Sequence, residues 1–381
     1  MRMKTSPLYI PALILLLAAL PSGGFSAWTW ETGLRWSYFF LIACLASIIL
    51  TPVSIFAAEK AGAIDMPDER RVHKSAIPRL GGLAIWIAFF LAMARSMDFS
   101  RETLGIMIGS SIIYLLGALD DIRRLSAFSR LFFQFLAAAV VFYFGLKITF
   151  TSGHGLLGET VSFAVTTVWL VGILNAFNFM DGIDGLAASM GLVCSMCFLV
   201  IGVNTGQFRV AVLSAAIAGA CAGFLKYNWN PASVFLGDGG STFIGFMLGC
   251  MAIYATWGDN RVLPAVSGPL LVLGIPVFDL AYTTVSRIKN GKVRNIRQWL
   301  EYAGRDHFHH RLISLGFDVR KAVAFIVLLN VILGLSAAQI VIDDRIFETF
   351  ITIFQSALVF MLVVFLMLTA RNRERIEDRL S

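Results

Sequence analysis

The sequence predicts an all-α polytopic membrane protein, a bundle of about 11–12 transmembrane helices. Three observations carry that expectation. Of the 381 residues, 57% are apolar and only 14% charged, against about 25% charged in an ordinary soluble domain. A soluble globule of this composition would expose apolar surface that it could not cover, and a bilayer removes that conflict. Apolar runs of about 20 residues, the length that crosses the hydrocarbon core, recur along the whole chain. Lysine and arginine are divided very unequally between alternate loops.

Twelve candidate spans follow in order: Leu8–Leu20, Ser37–Ala57, Leu83–Met97, Thr103–Leu119, Leu131–Gly145, Val161–Leu174, Leu186–Val203, Val210–Phe224, Phe243–Trp257, Val262–Val285, Val323–Ile342 and Phe347–Leu368. These runs are apolar all round and longer than the about 9–11 residues of an alternating barrel strand, so helices are expected. The first is short, contains Pro11 and follows Arg2 and Lys4. A cleaved signal peptide is the alternative there, but Pro21-Ser-Gly-Gly is a poor cleavage site and a retained helix is preferred. We expect a single integral-membrane domain over residues 1–381. Its core covers about 54–320, with an extra hydrophobic segment at 1–35, a helix pair at 320–370 and a basic tail at 371–381.

With the N-terminus placed inside, the inside loops hold 24 Lys and Arg residues and the outside loops 7. That asymmetry is the positive-inside signature and predicts a multi-pass protein of the cell inner (plasma) membrane. The basic balance, formally +7, is explained by topology and by anionic lipid or substrate at the inner face, so nucleic acid is not invoked. The five cysteines all fall in or near apolar spans. Cys194 and Cys197 form a C-x-x-C inside an apolar helix among Gly, Ser, Met and Phe, where small packing residues are the plainer reading.

Every dense polar motif falls in the inside set. The motifs are Asp65–Gly82, Asp120-Asp121, Asn175–Leu186, Asn228–Pro231 with Phe235–Ser241, and Arg305–Arg311. Asp120, Asp121, Asp181, Asp184 and Asp238 are five carboxylates at membrane-proximal helix ends. Without partners they would repel one another and suffer desolvation. A divalent cation resolves that conflict, and Mg²⁺ characteristically takes a few carboxylates together with substrate phosphate oxygens. Glycines at 182, 185, 237, 239 and 240 let backbone amides approach a phosphate. Taken singly, each motif has a plainer reading: a solvated helix cap, a turn, a loop, or for the histidines a zinc site, which lacks a thiolate companion here. Together, on one predicted face, they point to phosphoryl transfer on a nucleotide diphosphate compound.

The string N-x-x-N-x-x-D-G-x-D-G-L at Asn175–Leu186 resembles the signature of the polyprenyl-phosphate N-acetylhexosamine-1-phosphate transferases. So do Arg71–Gly82, Asp120-Asp121 with Leu125 and Gln134, the F-x-G-D-x-G-S-x-x-x-G of Phe235–Gly245, and Pro276–Arg287 with Asp279. The resemblance covers roughly Ser54 to Phe317. It implies attack by a polyprenyl phosphate, undecaprenyl phosphate in bacteria, on the β-phosphorus of a UDP-N-acetylhexosamine, with release of UMP. It also implies Mg²⁺, with Mn²⁺ as a substitute, and leaves room for a homodimer. Carried over by position, Asp238 would be the principal metal ligand, with Asn178 and Asp181 lining the metal and diphosphate site. Asp120 would face the lipid phosphate as a candidate base, with Asp121 beside it and Arg130 as a contact to that phosphate. Lys74, Asp184, Asn228 and Phe235 would hold the uridine. Arg305, His307, His309, His310 and Arg311 would meet the sugar and its phosphates. A phosphate monoester is already largely dianionic near neutral pH (second pKa about 6), so the acceptor needs positioning more than a base.

The peptidoglycan branch of that family, the phospho-MurNAc-pentapeptide transferases, typically shows three consecutive histidines in the last inside loop. The order here is His307-Phe308-His309-His310, between Arg305 and Arg311. That resembles the branch using UDP-GlcNAc or a close relative to initiate envelope polysaccharides such as the lipopolysaccharide O-antigen. Two departures stand out: Arg130 replaces a common Lys, and Gly239 a common Ser or Ala. A nucleotide-sugar transporter would carry its polar residues near the midplane, often with repeat symmetry. A CDP-alcohol phosphotransferase would need Ala-Arg after its D-G, where Leu186-Ala-Ala-Ser stands instead.

Overall fold

The computed structural model describes residues 11, 14, 23–66, 76–96, 99–149, 155–257, 262–295, 298, 299, 302, 304, 306–343 and 345–380. Among them the chain forms α1 (Gly23–Glu31) and α2 (Arg35–Ala61), then a two-residue antiparallel ladder of β1 (Ile64–Asp65) and β2 (Ile77–Pro78). There follow α3 (Gly82–Met93), α4 (Arg101–Arg123), α5 (Ala127–Tyr143), α6 (Leu156–Met180), α7 (Leu186–Asn204), α8 (Phe208–Asn228) and α9 (Gly237–Tyr254). The last elements are α10 (Val262–Val272), α11 (Gly274–Lys289), α12 (Phe308–Ser314), α13 (Val319–Ile342) and α14 (Ile346–Leu380). The protein is an all-α polytopic membrane protein. Eleven of the twelve expected spans coincide with helices, and Leu8–Leu20 lies outside the described residues apart from Pro11 and Ile14. Seven helices (α2, α4, α6, α7, α8, α13 and α14) are long and apolar enough to cross a membrane singly. The expected tail at 371–381 continues α14 as helix to Leu380.

One expected span is not a single helix. Val262–Val285 breaks at Leu273 into α10 and α11, bent by 82°. Pro276 explains the break, because it has no N–H for the carbonyl of Val272 and its ring crowds that carbonyl. In lipid such a freed group must find another partner. The buried Asn330 of α13 donates from Nδ2 to Val272 O at 3.1 Å, and its Oδ1 accepts from the Ile275 N–H at 3.4 Å. Cys194 adds an S–H donation to the same carbonyl at 3.3 Å. The C-x-x-C motif therefore contributes a hydrogen bond to a helix break.

Helix α9 occupies the centre, packed against α3, α4, α6, α7 and α8 and buried over almost its whole length. Its crossing with α4 is made backbone to backbone. A Cβ on Gly117 would lie 2.5 Å from the Gly239 Cα, and one on Gly239 would lie 2.9 Å from the Ala118 nitrogen. Small residues at such a crossing let membrane helices approach closely. The crossing sits nearly two turns before the end of α4 and at the start of α9, so it sets the Asp120-Asp121 pair against Asp238. Gly239, noted above as a departure from Ser or Ala, therefore meets a steric demand of this crossing.

Gly117→Leu should force α4 and α9 apart, at a cost of about 1–3 kcal/mol for overpacking a tight contact. The detergent-purified variant is expected to melt several degrees lower, measured by intrinsic fluorescence. Gly172→Leu is the control: that glycine lies in α6, and a Cβ there meets nothing within 4 Å. Equal melting temperatures for the two variants would contradict the crossing.

Candidate active site

The turn between α4 and α5 builds the first part of the site. Arg124 closes α4 in the left-handed region (φ 50°), and its N–H donates to Asp120 O at 2.8 Å. Ser126 caps α5 by accepting the Ser129 N–H at 3.1 Å. This short reversal lays the first turn of α5 over the end of α4. Arg130 Nη1 then reaches Asp120 Oδ2 at 3.2 Å, while Asp120 Oδ1 accepts the Leu125 N–H. Asp120 and Arg130 line one cleft with Gln134, Asn175, Asn178 and Asp238, whose apolar walls include Leu116, Leu131 and Phe179.

Asp121 points the other way and is almost wholly enclosed. Its Oδ1 accepts the Asp238 N–H at 3.1 Å and its Oδ2 the Gly239 N–H at 3.2 Å. The carboxylate thus caps the first turn of α9, where amide donors have no helical partner. Gly237 enters that helix at φ 76°, with its α-carbon hard against the Arg79 carbonyl. The Arg79 guanidinium lies 3.4 Å from Asp121 and 3.7 Å from Asp238.

Asn178 comes from the last turn of α6. Its Nδ2 donates to Asp238 Oδ1 and to Ser241 Oγ, both at 3.1 Å. A metal contact by Asn178 would therefore use its carbonyl oxygen. Asp181 ends the same helix. Burial, then the neighbouring Asp238 charge, pushes its carboxyl well above the usual carboxylate range.

The residues expected around uridine hold two loops together. Asn228 is buried; its Oδ1 accepts the Gly185 N–H at 3.1 Å and its Nδ2 donates to Val234 O at 2.9 Å. Asp184 Oδ2 accepts from Asn230 Nδ2 at 2.8 Å and from the Ala232 N–H at 3.0 Å. Phe235 is half-buried, and its backbone pairs with Pro78 and Gly81. Lys74 and Arg305 lie outside the described residues.

The last loop is organised by Arg287, Asp279 and Asp306, to which the sequence reading gave no individual role, together with His307. Arg287, from α11, is 1% exposed and forks onto Asp306 with contacts of 2.9 and 2.6 Å. Its Nη2 also meets His307 Nε2 at 3.0 Å, and His307 Nδ1 meets Asp279 Oδ2 at 2.7 Å. Arginine can only donate, so Nε2 must accept and Nδ1 must carry the proton towards Asp279. His307 is thereby fixed as a neutral tautomer with both nitrogens engaged. Asp279 Oδ1 also accepts the Phe308 N–H at 2.8 Å, which anchors the start of α12. The Asp306 carboxyl sits below its usual range, because the Arg287 bonds outweigh a burial effect that alone would raise it. The motif Pro276–Arg287 with Asp279 was the signal in the sequence, and the partners at 306 and 307 come from a separate loop.

His309 differs from His307. It is buried, and neither ring nitrogen has a hydrogen-bond partner among the described residues. Its ring lies directly on the Gly182 loop, where a Cβ would come within 2.2 Å of Nε2. Burial, then His310, holds it well below the ordinary histidine range. His310 sits 4.2 Å from it between ring centres, and Arg311 is half-buried on the same short helix.

The oxygens that could hold a divalent cation are those of Asp238 and Asp120, which line the same cleft. Asp181 also lies within reach of the Asp238 charge. Among the described residues no three His, Cys, Asp or Glu side chains converge into a ready-made cage. A sparse, oxygen-only donor set fits Mg²⁺ or Mn²⁺, which complete their shells with water and substrate phosphate. It does not fit structural zinc, which takes four sulfur or nitrogen ligands.

The fold and the site define a membrane-embedded enzyme with its polar groups gathered at one end of a helix bundle. The chain belongs to glycosyl transferase family 4. The family pattern matches residues 103–256, which hold Asp120, Asp121, Asn178, Asp181, Asp184, Asn228, Phe235 and Asp238. The chain is 32% identical over 336 residues to a Bacillus subtilis (strain 168) protein named "probable undecaprenyl-phosphate N-acetylglucosaminyl 1-phosphate transferase", covering 87% of this chain and 90% of that one. It is 30% identical to the decaprenyl-phosphate N-acetylglucosaminephosphotransferase of Mycobacterium leprae, covering 87% and 91%. A phospho-N-acetylmuramoyl-pentapeptide-transferase of Chlamydia trachomatis is 32% identical, covering 71% and 85%.

The buried His309 makes stability depend on pH. Its folded-state pKa is depressed, so its contribution is present above the unfolded value of about 6.5 and lost as pH falls through it. Melting temperature should drop between pH 7.5 and 5.5, with up to about 1.4 kcal/mol lost per pH unit below 6.5. His309→Gln should flatten that part of the profile. An unchanged slope in the variant would show that His309 takes up its proton without leaving the fold.

Proposed function

We propose that the protein transfers N-acetylhexosamine-1-phosphate, with GlcNAc-1-phosphate the preferred group, from a UDP-sugar to undecaprenyl phosphate. UMP is released, and the lipid-linked sugar initiates an envelope polysaccharide. The reaction takes place at the cytoplasmic face of the inner membrane and depends on Mg²⁺, replaceable by Mn²⁺. The observation that carries this reading is the shared cleft. The Asp120–Arg130 pair and Asp238 open onto one space that also has an apolar side of Ile113, Leu116, Leu131 and Phe179, beside the polar Gln134, Asn175, Asn178 and Thr242, as an acceptor with a charged head and a hydrocarbon chain requires. The family membership, the relatives' names and the 24-to-7 split of basic residues support it.

In this reading Arg130 holds the lipid phosphate, and Asp120 holds Arg130. With one Asp120 oxygen on Leu125 N–H and the other on Arg130, orienting that cation is its main task. A dianionic acceptor needs no proton removed. An oxygen of the lipid phosphate forms the new bond to the β-phosphorus of the donor, and the bond from that phosphorus to the bridging oxygen breaks as UMP leaves. A metal held by Asp238, with Asp120, Asp181 and Asn178 beside it, would supply neutralisation of the phosphate charge. Phe235 would stack on the uracil and Lys74 and Asp184 contact the nucleoside, while Asn228 fixes the two loops that form the pocket. His309 brings uncommitted ring nitrogens to the Gly182 loop, with His310, Arg305 and Arg311 on the same last loop. His307 positions that loop through Asp279 and Arg287.

Membranes or purified protein given undecaprenyl phosphate and a panel of radiolabelled UDP-sugars test the reading. UDP-GlcNAc or an epimer should be converted and UDP-MurNAc-pentapeptide should not; the reverse outcome would assign the chain to the peptidyl branch. Asp238→Asn should lower turnover about a hundredfold or more in folded protein. Arg130→Ala should raise the acceptor KM about tenfold while the donor KM stays, and Arg130→Lys should recover part of the loss.

A further inference from the structure

Arg79 has a fixed backbone and a loosely held charge. Its N–H donates to Ala63 O at 2.9 Å, and its neighbours Pro78 and Gly81 both bond to the Phe235 backbone, at 2.8 and 3.0 Å. Its own carbonyl is packed against Gly237. The guanidinium, by contrast, reaches among three carboxylates from three separate elements: Asp65 at 3.6 Å, Asp121 at 3.4 Å and Asp238 at 3.7 Å. All three contacts are longer than the about 2.7–2.9 Å of a charge-assisted hydrogen bond. The cation offsets part of the group's negative charge without being locked to one member. Its side chain is 32% exposed and lines a polar cavity of about 360 Å³ together with Asp120, Asp121, Arg124, Arg130 and Asp238.

We propose that Arg79 is the resident counter-cation of the carboxylate cluster, competing with the divalent metal for Asp238 and turning its guanidinium to the donor diphosphate once the metal is bound. This rests on the metal-dependent transfer proposed above. A guanidinium 3.7 Å from Asp238 and a divalent cation on the same carboxylate repel each other at short range. The side chain, a third exposed and free of tight bonds to the described residues, can yield. The pinned backbone keeps it within reach of whatever polyanion the metal brings in. A planar fork of N–H donors suits a diphosphate better than the point charge of lysine.

The test uses full-length protein in detergent and Mn²⁺ alone, with free Mn²⁺ read by electron paramagnetic resonance and no substrate present. Arg79→Gln should bind Mn²⁺ about tenfold more tightly than wild type, since one nearby positive charge has gone. Arg79→Lys should bind it like wild type. At saturating metal, Arg79→Gln should raise the KM for UDP-GlcNAc about tenfold and leave the acceptor KM unchanged. Melting curves confirm folding, and Arg79→Met replaces Arg79→Gln if the latter is unstable. Equal or weaker Mn²⁺ binding by the folded neutral variants overturns the proposal while the transfer reading stands. Wild-type binding that Asp238→Asn does not weaken overturns the metal reading as well.

Discussion

The grip of the Asp121 carboxylate on the amides of Asp238 and Gly239, at 3.1 and 3.2 Å, ties the end of α4 to the beginning of α9. The first turn of a helix has amide donors without helical partners, and in a mostly apolar bundle they must be met by protein. A buried carboxylate meets two of them and faces the positive end of the helix dipole. The arrangement is possible only because Gly117 and Gly239 let the two backbones touch. Once α4 and α9 are joined there, the preceding residue of α4, Asp120, is brought to the same cleft as Asp238. The tight turn through Arg124 and Ser126 then brings Arg130 over Asp120. The acceptor side of the site follows from that single contact.

The other side is built independently, from a broken helix. Pro276 frees a carbonyl, Asn330 takes it up, and α11 leaves the break at 82° to α10. That course carries Asp279 and Arg287 to the last loop, where they fix His307 and the start of α12. Phe179 joins the two sides: it lines the cleft of Asp120 and Asp238, and it stacks on His307 at 5.1 Å between ring centres. Helix α14 packs against α12 from outside, so the C-terminal helix pair supports the loop that carries His309.

Span positions were legible in the sequence because hydrophobic length and loop charge are local properties. The gathering of the acidic motifs at one end was legible for the same reason, since helices of similar length alternate direction. The break at Leu273 was not: Pro276 stood in a recognised motif, but Asn330, the residue that makes the break tolerable, lies in another span. The roles of Asn228 and His307 were hidden by a related effect. A sequence shows that an amide or an imidazole is present, but not whether its atoms already have partners. Asn228 has both side-chain polar atoms engaged in joining loops, and His307 has both nitrogens engaged by Asp279 and Arg287. Arg79, inside a motif read for its lysine, gains its meaning from carboxylates 14 residues before it and 42 and 159 residues after it.

These engagements divide the polar residues into two groups with different physical demands. Asp121, Asn228, His307, Asp279 and Arg287 are satisfied by fixed protein partners. Their hydrogen bonds hold helix ends and loops at the membrane boundary, where an unmet polar group is costly. Asp238, Arg79 and His309 are held less completely: Asp238 is partly exposed, Arg79 sits in long ion pairs, and His309 has no partner among the described residues for either nitrogen. Such groups would relax toward one another or toward water if their surroundings could move, and the capped helix start, the Gly–Gly crossing and the Asp279–His307–Arg287 unit prevent that. The unmet capacity for charge and hydrogen bonding is therefore maintained by the rigidity of the satisfied groups, and it is concentrated where a polyanion and its cation would relieve it.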